Sequence, residues 1–218
     1  MNGFVVERAM ELLEDGGLEA LTLARVAESL GYTTTAVYRY FPSKDALVAA
    51  MQRQAIREVH ERFSSETLRR TESLEGPAAT RSLALLMIAA EIYLALPADE
   101  PLAWSLVAVL LGDPRPLLSD EESERAAPVL ESFLSAVDGL FHRAAEAEAI
   151  ERGDARERTL ALWAALHGAL CLEKARRIVT TTPPSNAIAK PIVRALLLSW
   201  GASSARLSAA ERLVSKGK

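Results

Sequence analysis

Apolar residues recur at helical spacing along nearly the whole chain, and no segment alternates in the manner of a half-buried strand. Gly-Pro and Pro-Pro breaks divide this pattern into long segments. We predict long helices at about 43–70, 77–96, 100–111, 120–152, 154–180 and 185–200. With shorter elements before residue 43, the pattern predicts an all-α protein of about nine helices, whose residues after Ser203 form a short helix or fray.

Residues 22–47 have a pattern of their own, TLARVAESLGYTTTAVYRYFPSKDAL, which predicts two short helices joined by a tight turn. Thr22 suits an N-cap, and Gly31 stands where a helix ends in a left-handed residue. Thr33 is expected to cap the second helix, which Pro42 ends. The segment therefore has the build of a helix-turn-helix.

The second of these helices has an apolar side and a polar side. Val37 and Phe41 are expected to face inward because they are four residues apart. The outward positions are Thr34, Thr35, Tyr38 and Arg39. Ser43 then suits the N-cap of the long helix that follows.

The complete pattern, T-x-x-x-V-A-x-x-L-G-Y-T-x-x-x-V-Y-x-Y-F-x-S-K-x-x-L, resembles the DNA-binding domain of the TetR/AcrR (tetracycline-repressor-like) family of transcriptional regulators. The resemblance covers about the first fifth of the chain. It rests on Gly17, Tyr38, Phe41, Ser43, Lys44 and Leu47. The chain departs from the family at Thr35, where a small residue is common, and at Tyr40, where His is frequent.

A helix-turn-helix of this type places its second helix in the major groove of DNA. The predicted DNA-binding residues are Thr22, Thr33, Thr34, Thr35, Tyr38, Arg39, Tyr40 and Lys44. The three consecutive threonines offer hydroxyls and methyls to base edges, and Arg39 suits bidentate pairing with guanine. Tyr38, Tyr40, Lys44 and Thr22 suit phosphates. The alternative interpretation is a helical hairpin whose polar side is only solvated.

Charge supports DNA binding only locally. Residues 1–47 carry four bases and seven acids, a balance of −3, and the whole chain has a net charge of −4. From Gly31 to Lys44, however, there are two bases and no acid. The DNA-binding surface is therefore expected to be a small patch, with salt-dependent affinity. A basic arm before the first helix is either absent or encoded upstream of Met1.

The segment from Thr159 to Leu172 is apolar nearly all round, and so is the helix after Pro184. Such helices need cover on most sides, so we predict a homodimer in which helices 8 and 9 form a four-helix interface. The W-x-x-x-H-G run from Trp163 to Gly168 resembles one type of C-terminal domain in TetR-family regulators. The alternative is that both helices belong to the core of a monomer.

The predicted domains are a helix-turn-helix domain at residues 1–47 and a helical ligand-binding and dimerisation domain at 48–218. The resemblance implies a repressor that a small molecule releases from an inverted-repeat operator. Apolar pocket walls would suit an unknown small hydrophobic effector. Candidate pocket residues are Met87, Tyr93, Trp104, Phe133, Phe141, Trp163 and His167. Each also suits an ordinary core position.

Other functional classes find little support. Cys171 is the single cysteine, and no apolar run reaches the ~20 residues of a membrane span, so a cytoplasmic protein without membrane segments is expected. Cys171 lies one turn from His167, but burial is expected to make its thiol inert. We predict no catalytic residues, metal or cofactor. The alternative function is a helical small-molecule- or partner-binding protein with lost or weak DNA binding, which the acidic N-terminus keeps open.

Overall fold

The computed structural model describes residues 2–112 and 118–216. Within these residues the chain forms ten α-helices and one 3₁₀-helix, with no strand, so the all-α prediction is confirmed. The helices are α1 Asn2–Ala20, α2 Leu23–Ser29, α3 Thr34–Tyr38, α4 Lys44–Glu72, α5 Ala78–Asp99, α6 Pro101–Gly112, α7 Asp120–Glu146, α8 Ala155–Leu172, α9 Ser185–Ser199 and α10 Ser204–Lys216, and the 3₁₀-helix is Glu173–Arg177. The residues after Ser203, for which the sequence left a short helix or fraying open, form the tenth helix.

The chain divides into two compact units. The first comprises Met1–His60 and Pro97–Glu131, and the second comprises Glu61–Leu96 and Ser132–Lys218. The helix-turn-helix lies wholly within the first unit. The domain boundary at residue 47 stays a prediction.

In the first unit, α2 packs against α3 and α1 against α2. Val5, Leu21, Val26, Leu47 and Met51 are almost completely buried and form the core. Helices as short as α2 and α3 are barely stable by themselves. Burial of their apolar sides in this core therefore stabilises them.

Two polar contacts also hold α4 inside the first unit. The side-chain amide of Gln52 donates to the carbonyl of Leu106 on α6 at 3.4 Å. Arg53 forms an ion pair with Glu122 on α7, and both side chains are largely buried. Arg53 belongs to the charged side of α4, which helical spacing alone would leave in water, but the first turn of α7 supplies a carboxylate that covers its guanidinium.

The second unit is built around α5, most of which is buried. Leu83, Leu86, Ile88, Phe141 and Leu197 are among its largest enclosed side chains. By length and composition α5 could cross a membrane, but 61% of its most apolar window is buried against the rest of the protein. A mostly buried apolar helix is the normal centre of a helical core.

Helix α7 ends at Glu146 and not near residue 152. Glu148 takes a left-handed φ of 53°, and the amide of Ala149 donates to the carbonyl of Ala144, which closes the helix in a Schellman-type cap. At its other end Pro128 is accommodated inside the helix, which begins at Asp120 after Ser119, whose hydroxyl accepts from the amide of Glu122 at 3.3 Å.

Helix α8 gives way to the 3₁₀-helix after Leu172, so the α-helical part is shorter than predicted. The N-cap residue of α9 is Pro184, which has no side chain that can accept a hydrogen bond, and the amide of Ser185 donates to a carboxylate oxygen of Glu173 at 2.9 Å. An acidic side chain from the preceding segment thus takes the place of a local cap. Helices α8 and α9 pack against each other.

Candidate nucleic-acid interface and ligand-binding cluster

Three local caps shape the helix-turn-helix, as the sequence predicted. The hydroxyl of Thr22 accepts from the amide of Arg25 at 3.2 Å, and that of Thr33 accepts from Ala36 at 3.3 Å. Ser43 caps α4 by accepting from Ala46 at 3.1 Å. Each bond satisfies an amide that the first turn of a helix leaves without a partner.

Gly31 makes the turn between α2 and α3. Its φ is +67°, in the left-handed region that L side chains rarely adopt. The amide of Tyr32 then donates back to the carbonyl of Ala27, which terminates α2. The turn is therefore specified by backbone conformation, and a glycine is the residue that adopts it without strain.

Helix α3 is anchored on one side and open on the other. Val37 and Phe41 are 1% and 5% exposed, which confirms their inward placement. The predicted DNA-binding residues Thr22, Thr33, Thr34, Thr35, Tyr38 and Arg39 are exposed, and Tyr40 and Lys44 are partly buried. A rigid apolar anchor thus presents a continuous polar surface to solvent.

The capping bonds leave these threonines able to bind anions. A hydroxyl that accepts from a backbone amide keeps its own proton for donation. Thr22 and Thr33 can therefore cap a helix and donate to a phosphate oxygen at the same time. Thr34 and Thr35 do not cap the helix.

Arg39 lies beside the aromatic ring of Tyr40. Its guanidinium carbon is 5.5 Å from the ring centroid, and one nitrogen is 3.5 Å from the phenol oxygen. Stacking of this kind restrains a long side chain without neutralising its charge. The guanidinium therefore starts from a restrained position at the edge of the polar surface.

In the second unit, three of the predicted pocket residues meet in a hydrogen-bond chain. The indole nitrogen of Trp163 donates to the phenol oxygen of Tyr93 at 2.9 Å. That oxygen lies 2.9 Å from Nδ1 of His167. The phenol oxygen thus connects the indole to the imidazole, and the tautomer of His167 sets which group of the phenol–imidazole pair donates.

Burial sets the protonation states of this Tyr93–Trp163–His167 cluster. It raises the pKa of Tyr93 well above the ordinary value and lowers the pKa of His167 below 6.5, because each charged form would lose hydration. The phenol therefore stays protonated and the imidazole neutral near pH 7. A neutral polar cluster among apolar helices can orient an uncharged or aromatic ligand.

The other predicted pocket residues do not join this cluster. Phe133 packs edge-to-face on Phe63 at 5.4 Å between ring centroids, and Phe141 packs likewise on Trp200 at 5.3 Å. Met87 is partly buried on α5, and Trp104 lies on α6 in the first unit. The sequence placed seven residues in one pocket, whereas the contacts group three of them.

Cys171 is exposed, so the predicted burial of its thiol was wrong. The residue lies on the side of α8 that the single chain leaves uncovered. Within residues 2–112 and 118–216, no three His, Cys, Asp or Glu side chains come close enough to hold a metal ion.

The buried amide of Gln52 and the pairing of Arg53 with Glu122 are structurally important features that the sequence pattern did not predict. Gln52 was detectable in principle, because it follows Met51 on the buried side of α4, where an amide needs a partner. The partner of Arg53 lies 69 residues away, and no local pattern relates the two.

These features define an all-α protein with an N-terminal helix-turn-helix in one unit and a second, larger helical unit. Residues 5–51 match the family model for bacterial regulatory proteins of the tetR family. The tetracycline repressor protein class C of Escherichia coli is 47% identical over 47 residues, which span 22% of this chain and 22% of that protein. The N-terminal region of the chain is thus similar to the DNA-binding region of tetR-family regulators, and the match spans about a fifth of the length of the relative.

Solved structures share the fold along nearly the whole length. A tetR-family regulatory protein from Rhodococcus RHA1 has a TM-score of 0.58 at 20% identity, covering 93% of this chain and 98% of its own. SmeT, the repressor of the Stenotrophomonas maltophilia multidrug efflux pump SmeDEF, has a TM-score of 0.55 at 18% identity, covering 92% and 90%. At these identities the likeness establishes the fold.

Proposed function

We propose that this protein is a sequence-specific DNA-binding transcriptional regulator: a homodimeric repressor that binds an inverted repeat and is released by a small hydrophobic effector. The observation that supports this proposal most directly is the exposed polar surface of α3, which buried Val37 and Phe41 hold in place. The family match covers this same region. Two relatives described as repressors support repression as the direction of regulation.

In this proposal α3 enters the major groove and its residues divide by role. Thr34, Thr35 and Arg39 contact base edges, because their side chains are exposed and carry donors, acceptors or methyl groups. The other residues of the surface bind phosphates and set the register; they are Thr22, Thr33, Tyr38, Tyr40 and Lys44.

The surface of α8 supports dimerisation. A stripe of exposed residues at helical spacing runs along it: Leu160, Ala164, Gly168, Cys171 and Leu172. All are apolar or small, and two leucines exposed to 42% and 48% are unusual on a surface that stays in water. We infer that a second copy of the chain covers this α8 stripe.

Helix α9 has a matching stripe of exposed residues, formed by Ala187, Pro191, Ala195 and Leu198. Small side chains on two neighbouring helices allow the helices of a partner to approach closely. A Cβ added at Gly168 would meet nothing within 4 Å in the single chain, so the fold of one chain does not require this glycine. An isologous four-helix interface would require it.

The proposed effector binds in the second unit near the Tyr93–Trp163–His167 cluster. This cluster supplies donors and acceptors of fixed orientation between apolar helices, as ligand pockets commonly do. Met87, Phe133 and Phe141 belong to the same unit and are the proposed apolar contribution. Release of DNA follows if the ligand binds the DNA-free state more tightly.

The first test is a gel shift with the purified protein and the DNA immediately upstream of its gene, at two salt concentrations and with unrelated competitor DNA. We expect a specific, salt-sensitive complex, and footprinting is expected to show protection of an inverted repeat. If specific binding is absent both there and in a genome-wide binding experiment, the DNA-binding proposal is wrong. The alternative of a helical ligand- or partner-binding protein would then stand.

A pair of variants separates DNA contact from general damage. Tyr38→Glu places a negative charge on an exposed position of α3 and is expected to abolish the complex. Arg212→Glu introduces the same side chain on α10, also at an exposed position, and is expected to leave the complex intact. Equal effects of the two substitutions would contradict a DNA-binding role for α3.

A further inference from the structure

Arg39 and Tyr40 lie next to each other where helix α3 ends. Neighbouring residues inside a helix point in different directions and do not face each other. Arg39, however, is the C-cap of α3. The amides of Tyr40 and Phe41 both donate to the carbonyl of Val37 at 3.0 Å, which tightens the chain as it leaves the helix. This exit turn brings together two consecutive side chains that a continuous helix would keep apart.

The two side chains contact each other in two ways. The guanidinium carbon of Arg39 lies 5.5 Å from the centroid of the Tyr40 ring, within the ~6 Å range of a cation–π interaction. Nη2 of Arg39 also donates to the phenol oxygen of Tyr40, at 3.5 Å. The ring face and the hydroxyl of one residue therefore restrain the same guanidinium.

The ring is the fixed partner of this pair, and the guanidinium is the exposed one. Tyr40 is partly buried and precedes Phe41, which is 5% exposed and anchors the segment. Arg39 is exposed. No acidic residue occurs from Gly31 to Lys44, so no carboxylate of this segment competes with DNA for the guanidinium. The contact with Tyr40 thus restrains Arg39 and leaves its positive charge in place.

We propose that Tyr40 is a positioning residue for base reading: its ring holds the Arg39 guanidinium in the orientation from which it binds a guanine in the major groove. An arginine side chain loses rotamer freedom when a base fixes it, and a restraint that exists before binding reduces this loss. The inference rests on the proposed function, in which Arg39 contacts a base edge and Tyr40 a phosphate. One side chain then relates the register on the DNA backbone to the orientation of the neighbouring base contact.

The first measurement needs no DNA: it is the NMR signal of the Arg39 Nε–Hε group in the full chain. A proton held over an aromatic face shifts upfield. We therefore expect an upfield shift and a higher heteronuclear NOE for Arg39 than for Arg212, an exposed arginine of α10. Tyr40→Leu is expected to remove both effects, and Tyr40→Phe to retain them. A wild-type Arg39 signal as mobile as that of Arg212 would overturn the proposal.

The second measurement is base discrimination, the ratio of the dissociation constants for operator variants with a single G·C to A·T change and for the operator itself. Tyr40→Leu is expected to lower this ratio at one guanine by about two- to fivefold, the contribution of an exposed cation–π contact. Tyr40→Phe keeps the ring and loses the hydroxyl, so it is expected to weaken all sequences alike and to retain the ratio. Tyr32→Leu, the same substitution at an exposed tyrosine outside α3, is the matched control and is expected to retain the ratio.

A double-mutant cycle separates positioning from direct contact. In the Arg39→Ala background, Tyr40→Leu is expected to change the ratio no further, because the group that it positions is absent. Equal losses in the two backgrounds would overturn the proposal, and so would an unchanged ratio in Tyr40→Leu. Melting curves show whether each variant folds. If Tyr40→Leu does not fold, the NMR signal of the wild type and the ratio of Tyr40→Phe still decide.

The two measurements also distinguish this inference from the proposed function. A restrained Arg39 in a protein that binds no DNA specifically would contradict the proposed function and, with it, the role of the pair in base reading. Specific DNA binding with a mobile Arg39 would overturn only the positioning by Tyr40.

Discussion

The helix-turn-helix is stabilised by contacts between residues close together in sequence, whereas the Tyr93–Trp163–His167 cluster is stabilised by contacts between residues far apart in sequence. The caps at Thr22, Thr33 and Ser43 each connect residues three positions apart. The hydrogen bonds of Tyr93 reach residues 70 and 74 positions away. The first region is thus specified by local chemistry and the second by packing, so substitutions are expected to act locally in one and through neighbouring helices in the other.

The largest expected effect is on dimerisation by the second unit, and through it on the operator affinity of the helix-turn-helix. Gly168→Arg fills the α8 stripe without a clash inside the single chain. We expect a folded monomer in analytical ultracentrifugation and operator affinity lower by about 100-fold or more, since linked half-sites gain that much from effective concentration.

The control for this prediction is Ala127→Arg, at an exposed small residue of α7. It is expected to stay dimeric. The exposed thiol of Cys171 supplies an independent measurement, because its reaction with a thiol reagent is expected to be slow in the wild-type dimer and fast in Gly168→Arg. A dimeric Gly168→Arg protein would contradict an interface through α8.

Next in size is the difference between base and phosphate contacts on α3. Arg39→Ala is expected to lower discrimination at one guanine by about 1–3 kcal/mol, because a bidentate contact is lost. Lys44→Ala is expected to weaken all DNA sequences alike and to reduce the salt slope by about one unit. Binding curves for operator variants at several salt concentrations separate the two. Unchanged preference in Arg39→Ala would exclude its base-reading role.

An effect of similar size, on stability instead of DNA binding, is expected in the cluster of the second unit. Tyr93→Phe removes the acceptor of the indole N–H of Trp163 and the phenol that pairs with Nδ1 of His167. The free energy of unfolding is expected to fall by about 1–3 kcal/mol, the cost of a buried polar group without a partner. Urea unfolding measures this change. Tyr32→Phe, at an exposed tyrosine, is the neutral control, and an equally small change in both variants would contradict a desolvated cluster.

The smallest expected effect tests whether the helix-turn-helix depends on local caps. Thr33→Ala is expected to destabilise α3 by about 1 kcal/mol, because the amide of Ala36 loses its acceptor. Amide hydrogen exchange of Ala36, measured without DNA, reports the change directly. Thr34→Ala lies on the same helix and removes no cap. In this variant the amide of Ala36 is therefore expected to exchange at nearly the wild-type rate. Similar exchange in both variants would contradict the local account.

The sequence by itself determined the elements whose signals lie within a few residues. The caps at Thr22 and Thr33, the left-handed Gly31 and the inward Val37 and Phe41 were all predicted and are confirmed. Each depends on hydrogen bonds or apolar spacing inside one or two helical turns, where the residue types alone favour one conformation.

Only the tertiary structure decided the partners that come from distant segments. Glu122 covers Arg53, Glu173 accepts from the first amide of α9, and the exposed Cys171 lies on the uncovered side of α8. Side-chain spacing shows which face of a helix is apolar, but the helix that covers this face is selected by packing of the whole chain.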